Sequence, residues 1–344
     1  MRDPGTGSSA RSPLTRRRTS PRRLPMFGRD DRRVETRMLV LETSDRHKWD
    51  AMLFRPRDRD SPRRRIGVIV VHGSVGNYLS GIPRRAAFGL SEAGFSVLTI
   101  NTRMANFGAF FGTGLLDRVH LDVEAAVTAM RRRGFRRMVL LGYSMGATIV
   151  TRYQAVYEAR DVEGVCTIAH PLSLPLSLRR RWERFGSSPD YGEMTRLAHR
   201  GLGGTDDPER DRIVIVRRAT GPTDLPEDAE IWTYRTWWHS RGPEALSAES
   251  RRWVGMLRVP LALLQADRDP LIPASEGAVL RRLAVEGGCP SVHLEFVRGA
   301  DHTFTGREQE PIDAAARWMD ALVTPAAAAE PPPPQADLDG LATP

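Results

Sequence analysis

Long apolar runs are missing from this chain of 344 residues. No stretch approaches the ~18 consecutive apolar residues that a membrane-spanning helix needs, so no span is expected. Cysteine is nearly absent. Cys166 and Cys289 are the two present, and neither has a C-x-x-C partner. That excludes a disulfide framework or a zinc ribbon and fits a reducing compartment, so a cytoplasmic location is expected. Lysine is scarcer still: of 51 basic residues only Lys48 is a lysine. A bias this uniform points to an Arg- and Ala-rich coding background rather than to selection for phosphate contacts. Missing too are H-E-x-x-H, G-x-x-x-x-G-K-[ST] and any run of clustered Cys and His, so no metal and no organic cofactor is implied.

The formal net charge is +9. Its location matters more than its size. Residues 1–33 hold ten Arg and three Asp, which leaves only +2 for residues 34–344. The tail has no interleaved aromatics, so a nucleic-acid partner is not expected. It is also too poor in apolar residues to offset its ordering entropy, and residues 1–33 read as a disordered basic tail. Its arginine pairs at Arg16-Arg17 and Arg22-Arg23 are followed by no apolar segment, so it reads as no export signal. Met26 offers an alternative start that would remove most of it. Residues 324–344, Ala- and Pro-rich with Pro331 to Pro334 in a row, read as a second disordered tail.

Between the tails, short apolar runs alternate with helical spacing. Strands are expected at Met38–Glu42, Ala51–Phe54, Ile66–Val71, Ser96–Ile100, Met138–Leu141, Gly164–Ala169, Leu261–Gln265 and Val292–Val297. Helices are expected over about Ile82–Ala93, Asp117–Arg133, Ala147–Gln154, Ala274–Val285 and Pro311–Val323. Such alternation predicts an α/β domain with a mostly parallel, doubly wound sheet over residues 34–323. The rhythm breaks between His170 and Arg258, where five of the seven tryptophans fall: Trp182, Trp232, Trp237, Trp238 and Trp253. A long insertion inside a compact domain is often an active-site lid, so residues 171–257 are expected to form a helical cap.

The run Gly142-Tyr143-Ser144-Met145-Gly146 is a G-x-S-x-G between an expected strand and an expected helix. That context gives the pattern meaning, because the turn must lift the serine hydroxyl clear of the sheet. A serine hydroxyl is a weak nucleophile and needs a base, which a third group must orient. Downstream, one strand runs into Asp267-Arg268-Asp269-Pro270 and the next into Asp301-His302-Thr303. Strand C-termini of an open parallel sheet converge on one crevice, so these groups would meet Ser144 there.

With these motifs the chain resembles the α/β-hydrolase superfamily over roughly residues 36–322, outside the insertion. The resemblance implies a catalytic triad in chain order: Ser144, Asp269, His302. Asp269 is favoured over Asp267 because Pro273 matches the proline of the family's G-x-x-D-x-x-x-P. Gln265 departs from that pattern, standing where the family tends to have glycine. The resemblance also implies an oxyanion hole from the backbone N–H groups of Met145 and of Ser74, the latter in the loop His72-Gly73-Ser74-Val75-Gly76-Asn77. His72 is expected to brace that loop. Asn101-Thr102-Arg103 is expected to tie loops together. Trp237, Trp238, His239 and His170 are candidate substrate contacts, although a packing role competes for each. The expected activity is that of a serine hydrolase cleaving an ester or thioester of a bulky apolar small molecule. Acyl transfer, lactone, amide or C–C bond hydrolysis, and a catalytically silent binding scaffold remain open. Oligomeric state is not legible.

Overall fold

The computed structural model describes residues 33–106, 114–202, 213–218 and 229–323. Both expected tails lie outside these, apart from Arg33. Two antiparallel strands lead, β1 (Val34–Glu42) and β2 (Lys48–Pro56), longer than their apolar cores suggest. Next come β3 (Ile66–Val71), helix α1 (Gly81–Glu92), β4 (Ser96–Ile100), α2 (His120–Arg132), β5 (Arg137–Tyr143), α3 (Met145–Tyr157) and β6 (Val162–Ile168).

The connection after β6 carries α4 (Leu174–Phe185), β7 (Ser187–Ser188), α5 (Tyr191–Gly201), β8 (Ile213–Arg218), β9 (Ala229–Thr233), α6 (Tyr234–Arg241) and the single turn α7 (Ser250–Trp253). The chain then returns through β10 (Leu261–Ala266), α8 (Ala274–Glu286), β11 (Val292–Val297) and α9 (Glu310–Val323).

Among the described residues the main sheet has eight strands in the order β1-β2-β4-β3-β5-β6-β10-β11. From β4 to β11 every pairing is parallel, and only β2 runs antiparallel to its neighbours. All residues of β3, β4 and β10 are buried. Strands covered on both faces have no polar side to show, and this is why they read as continuous apolar runs. One face packs against α2, α3 and α8 through Val123, Val127, Ile149 and Leu280. The other packs against α1 and α9 through Ile82, Leu90, Ile312 and Met319.

The segment between β6 and β10 is not purely helical. It contains a second, antiparallel sheet in the order β7-β8-β9. Its helices begin where side-chain caps allow. Ser173, Asp190 and Thr233 each accept the backbone N–H three residues on, at the starts of α4, α5 and α6. Its interior is a separate aromatic cluster of Trp182, Trp232, Tyr234 and Trp237 with Leu178 and Met194.

Candidate active site

Ser144 sits where β5 turns into α3. Its backbone has φ 53° and ψ −116°, a region that L-residues occupy only when their surroundings force it. The two glycines of the motif supply that force. A Cβ at Gly142 would lie 2.3 Å from the Gly146 carbonyl oxygen, and one at Gly146 would lie 2.3 Å from that of Val71. Strand and helix therefore approach to a separation that only glycine permits.

The hydroxyl of Ser144 lies 3.2 Å from His302 Nε2. On the other side of the ring, His302 Nδ1 lies 2.6 Å from Asp269 Oδ2. The second carboxylate oxygen of Asp269 accepts the amides of Leu271, at 2.8 Å, and Ile272, at 2.9 Å. Those bonds lock its orientation toward the imidazole. The Asp269 side chain is only 1 % exposed and that of His302 18 %, so the pair opens to solvent on the histidine side alone. Asp267 does something else: its Oδ1 accepts the Gly299 amide at 2.6 Å and closes the turn after β11.

Tyr143 completes the frame. Its hydroxyl donates to the His302 carbonyl at 3.0 Å, and its ring lies 5.7 Å from the imidazole. Burial, together with the nearby carboxylates of Asp269 and Asp301, pushes its phenol well above the usual range. Tyr143 thus stays a neutral donor. The sequence signal was its place in the variable position of the G-x-S-x-G, which carries no chemical expectation by itself.

The loop after β3 packs directly against this turn. A Cβ at Gly73 would lie 3.0 Å from the Tyr143 ring and 3.2 Å from Ser144 Cβ. Ser74 follows immediately, and Val75 has φ 50°. Met145 is the first residue of α3, so its amide is among those of the first helical turn that lack an intrahelical acceptor. His72 is buried and bonds within the loop region only, through Nδ1 to the Gly73 carbonyl (2.8 Å) and Nε2 to Thr102 (3.0 Å to its Oγ1). Burial lowers its pKa to about 4, so it stays neutral. Around it, Asn101 accepts the Tyr78 amide at 3.1 Å, and Arg103 pairs with Asp122 at 2.8 Å and Asp45 at 3.0 Å. The bonds of His72 and Asn101 join the loops after β3 and β4, and those of Arg103 tie the latter loop to α2 and to the turn between β1 and β2.

A cavity of about 940 Å³ opens over Ser144 and His302. Tyr143, Leu178, Phe185, Leu271 and Ile272 form apolar parts of its wall, while Arg181, Arg184, Arg241 and Asp301 bring charge. The structure brings Ser144, His302, Asp269, Met145 and Ser74 together, and it sets the four candidate substrate contacts elsewhere. Trp237 is fully buried in the aromatic cluster, its ring 6.0 Å from Trp182 and 5.3 Å from Tyr191. Trp238 packs on His199 at 5.4 Å. His239 pairs with Asp117 at 3.4 Å. His170 is fully buried behind the site. The side chain of Gln265 clamps its backbone on both sides, accepting from its amide at 2.8 Å and donating to its carbonyl at 2.9 Å. Trp237, Trp238 and His239 thus meet partners within the protein, whereas neither ring nitrogen of His170 has a hydrogen-bond partner among the described residues. Gln265, where a glycine was anticipated, thereby joins the end of β10 to the end of β6.

Arg241 was missed. It ends α6, is 1 % exposed, and donates through Nη2 to Ser74 Oγ at 2.6 Å and toward Met145 Sδ at 3.1 Å. One arginine among so many carries no sequence signal of burial.

No protein-family model matches the chain, and no curated protein matches it by sequence. Solved structures do. The esterase Pf2001 of Pyrococcus furiosus superposes with a TM-score of 0.57 at 18% identity, covering 83% of this chain and 90% of that one. Est1E of Butyrivibrio proteoclasticus gives 0.56 at 15% identity, covering 83% and 98%. A putative dienelactone hydrolase of Klebsiella pneumoniae gives 0.52 at 13%, covering 84% and 98%. The chain has the α/β-hydrolase fold.

Proposed function

We propose that the protein is a serine hydrolase that cleaves a carboxylic ester or thioester through an acyl-enzyme on Ser144. One observation carries this reading: the unbroken chain from Ser144 Oγ to His302 Nε2 (3.2 Å) and from His302 Nδ1 to Asp269 Oδ2 (2.6 Å). It stands at the C-terminal edge of the parallel sheet, where such folds bind ligands.

In the first half-reaction Ser144 Oγ attacks the carbonyl carbon while its proton passes to His302 Nε2. Asp269 holds the imidazole by Nδ1 and stabilises the imidazolium. The carbonyl oxygen becomes an oxyanion facing the amides of Met145 and Ser74, a role that the close approach of the Gly73 loop to Ser144 supports. Collapse of the tetrahedral adduct breaks the bond to the alcohol or thiol, which leaves with the proton from His302. In the second half water attacks the acyl-enzyme, His302 takes its proton and returns it to Ser144, and the acid departs. We further assign residues 171–257 to a cap over the site, with Leu178 and Phe185 of α4 and Leu271 and Ile272 below contacting the apolar part of the substrate.

The reading is tested by turnover of p-nitrophenyl butyrate and by labelling with a fluorophosphonate. Ser144→Ala is expected to lose about 10⁴-fold or more in kcat/KM and all labelling. Equal turnover in both proteins, or a label that survives the substitution, overturns it.

A further inference from the structure

We propose that Arg241 is the receptor for a substrate carboxylate, so that the ester cleaved at Ser144 carries a free carboxylate close to its scissile carbonyl. The proposal rests on the hydrolase reading above and deepens it.

A buried cation is costly unless an anion compensates it. Arg241 makes no ion pair among the described residues, and the only carboxylate that eases its burial, Glu230, does so without touching it. Of its five N–H donors, Nη1 has the Ser240 carbonyl at 2.9 Å, and Nη2 has the Ser74 hydroxyl at 2.6 Å and the Met145 thioether at 3.1 Å. All three acceptors are neutral, and among the described residues no carboxylate forms an ion pair with it. Glu230 lines the recess beside Arg241, but its hydrogen bonds go to others: it takes Arg181 at 2.6 Å through one oxygen and the Trp232 indole N–H at 3.1 Å through the other. The Trp232 ring faces the guanidinium at 5.5 Å, a contact that favours the cation without neutralising it. Burial lowers the Arg241 pKa only to about 10, so the group is charged at neutral pH.

The charge faces the reaction. Arg241 lines the same cavity as Ser144 and His302, and also a smaller recess of about 30 Å³ behind it, walled by Met104, Trp232 and Thr236. Its two contacts, Ser74 and Met145, are the residues whose amides flank the developing oxyanion. An anion held by Arg241 therefore belongs to the molecule whose carbonyl sits on Ser144. A thioether is a weak acceptor, so a carboxylate oxygen displaces it from Nη2 at little cost. With Nε–H, which has no acceptor among the described residues, Nη2 then forms the lateral fork that fits two carboxylate oxygens. Arg181 and Arg184 add positive potential along the wall. The opposing Asp301 is already engaged by the amides and hydroxyls of Thr303 and Thr305.

The test compares ethyl hydrogen succinate with ethyl methyl succinate, its carboxylate-capped analogue, by proton release at constant pH. The wild type is expected to favour the charged ester by about tenfold or more in kcat/KM, and Arg241→Gln to lose about thirtyfold or more of that ratio, with Arg241→Lys keeping part of it. Succinate is expected to inhibit the wild type competitively at least about tenfold more tightly than methyl succinate or inorganic phosphate, a reading that needs no folded variant. Indifference to the capping, or phosphate binding as tightly as succinate, overturns the carboxylate site even when Ser144→Ala abolishes turnover. Failure of both esters to react, with calorimetric succinate binding that Arg241→Gln removes, overturns the hydrolase reading and leaves the anion site standing.

Discussion

The sheet and the described residues between β6 and β10 bury different chemistry. In β3, β4 and β10 the buried side chains are Val, Ile, Leu and Ala, with Ser96, Thr99 and Gln265 as the polar ones, and each of those three has a hydrogen-bond partner. Among the segment's buried groups are Arg241, Glu230 and Glu249, and the indole N–H groups of Trp182 and Trp237 have no acceptor. A fully satisfied apolar layer fixes positions, so it can hold three reacting groups in line. A layer that buries charge and leaves donors unmet is less stable.

The largest effect that would sharpen this contrast is expected at the sheet edge, from a substitution that changes one atom. Asp269→Asn preserves shape and is expected to lower kcat/KM by about 10³ to 10⁴, because the amide cannot stabilise the imidazolium. Asp267→Asn keeps an acceptor for the Gly299 amide and is expected to change kcat/KM by less than about fivefold. Equal losses from the two would mean that the carboxylates act together and that the orienting geometry is misassigned.

A smaller effect is expected from Trp237→Ala. Truncating a fully buried tryptophan costs about 3–5 kcal/mol. If the segment is a separately packed layer, the loss falls there, and limited proteolysis should cut within residues 171–257 before the main thermal transition moves. One cooperative transition shifted as a whole, without early cleavage, would merge the two regions into a single unit.

The smallest effect concerns acid. His170 and His72 are fully buried, and burial lowers their pKa values to about 3 and about 4. The unfolded chain binds their protons first, near pH 6.5. Their contribution to stability is therefore whole above that pH and is lost as pH falls toward the folded values, at no more than about 1.4 kcal/mol per pH unit for each histidine. Denaturant titrations at pH 7 and pH 5 should show this slope, and His170→Leu should flatten it. A variant slope equal to the parent's would remove His170 from the account.

The sheet's legibility followed from locality. The central parallel strands β3, β4, β5 and β10 are built on short apolar runs, and the helices after β3, β5 and β10 show their spacing within a dozen residues. That Asp269 and His302 lie beside Ser144 was legible because strand ends converge whatever lies between them. The segment was opaque for the opposite reason. Ser187–Ser188 is a strand only because Arg217 and Arg218 lie across from it, a pairing thirty residues away in sequence. The tryptophans suggested a substrate wall, but large rings satisfy themselves first by packing on one another, as Trp182 and Trp237 do. Arg241 looked like any of its fellows, since burial of a charge is a property of its neighbours.

Position 144 holds a side chain where the backbone by itself favours none. Selection for robustness alone would leave glycine there, as at 142 and 146, and the turn would relax. A hydroxyl stands there against that preference, so on the proposed function usefulness and durability are opposed within one residue, and the surrounding sheet carries the strain.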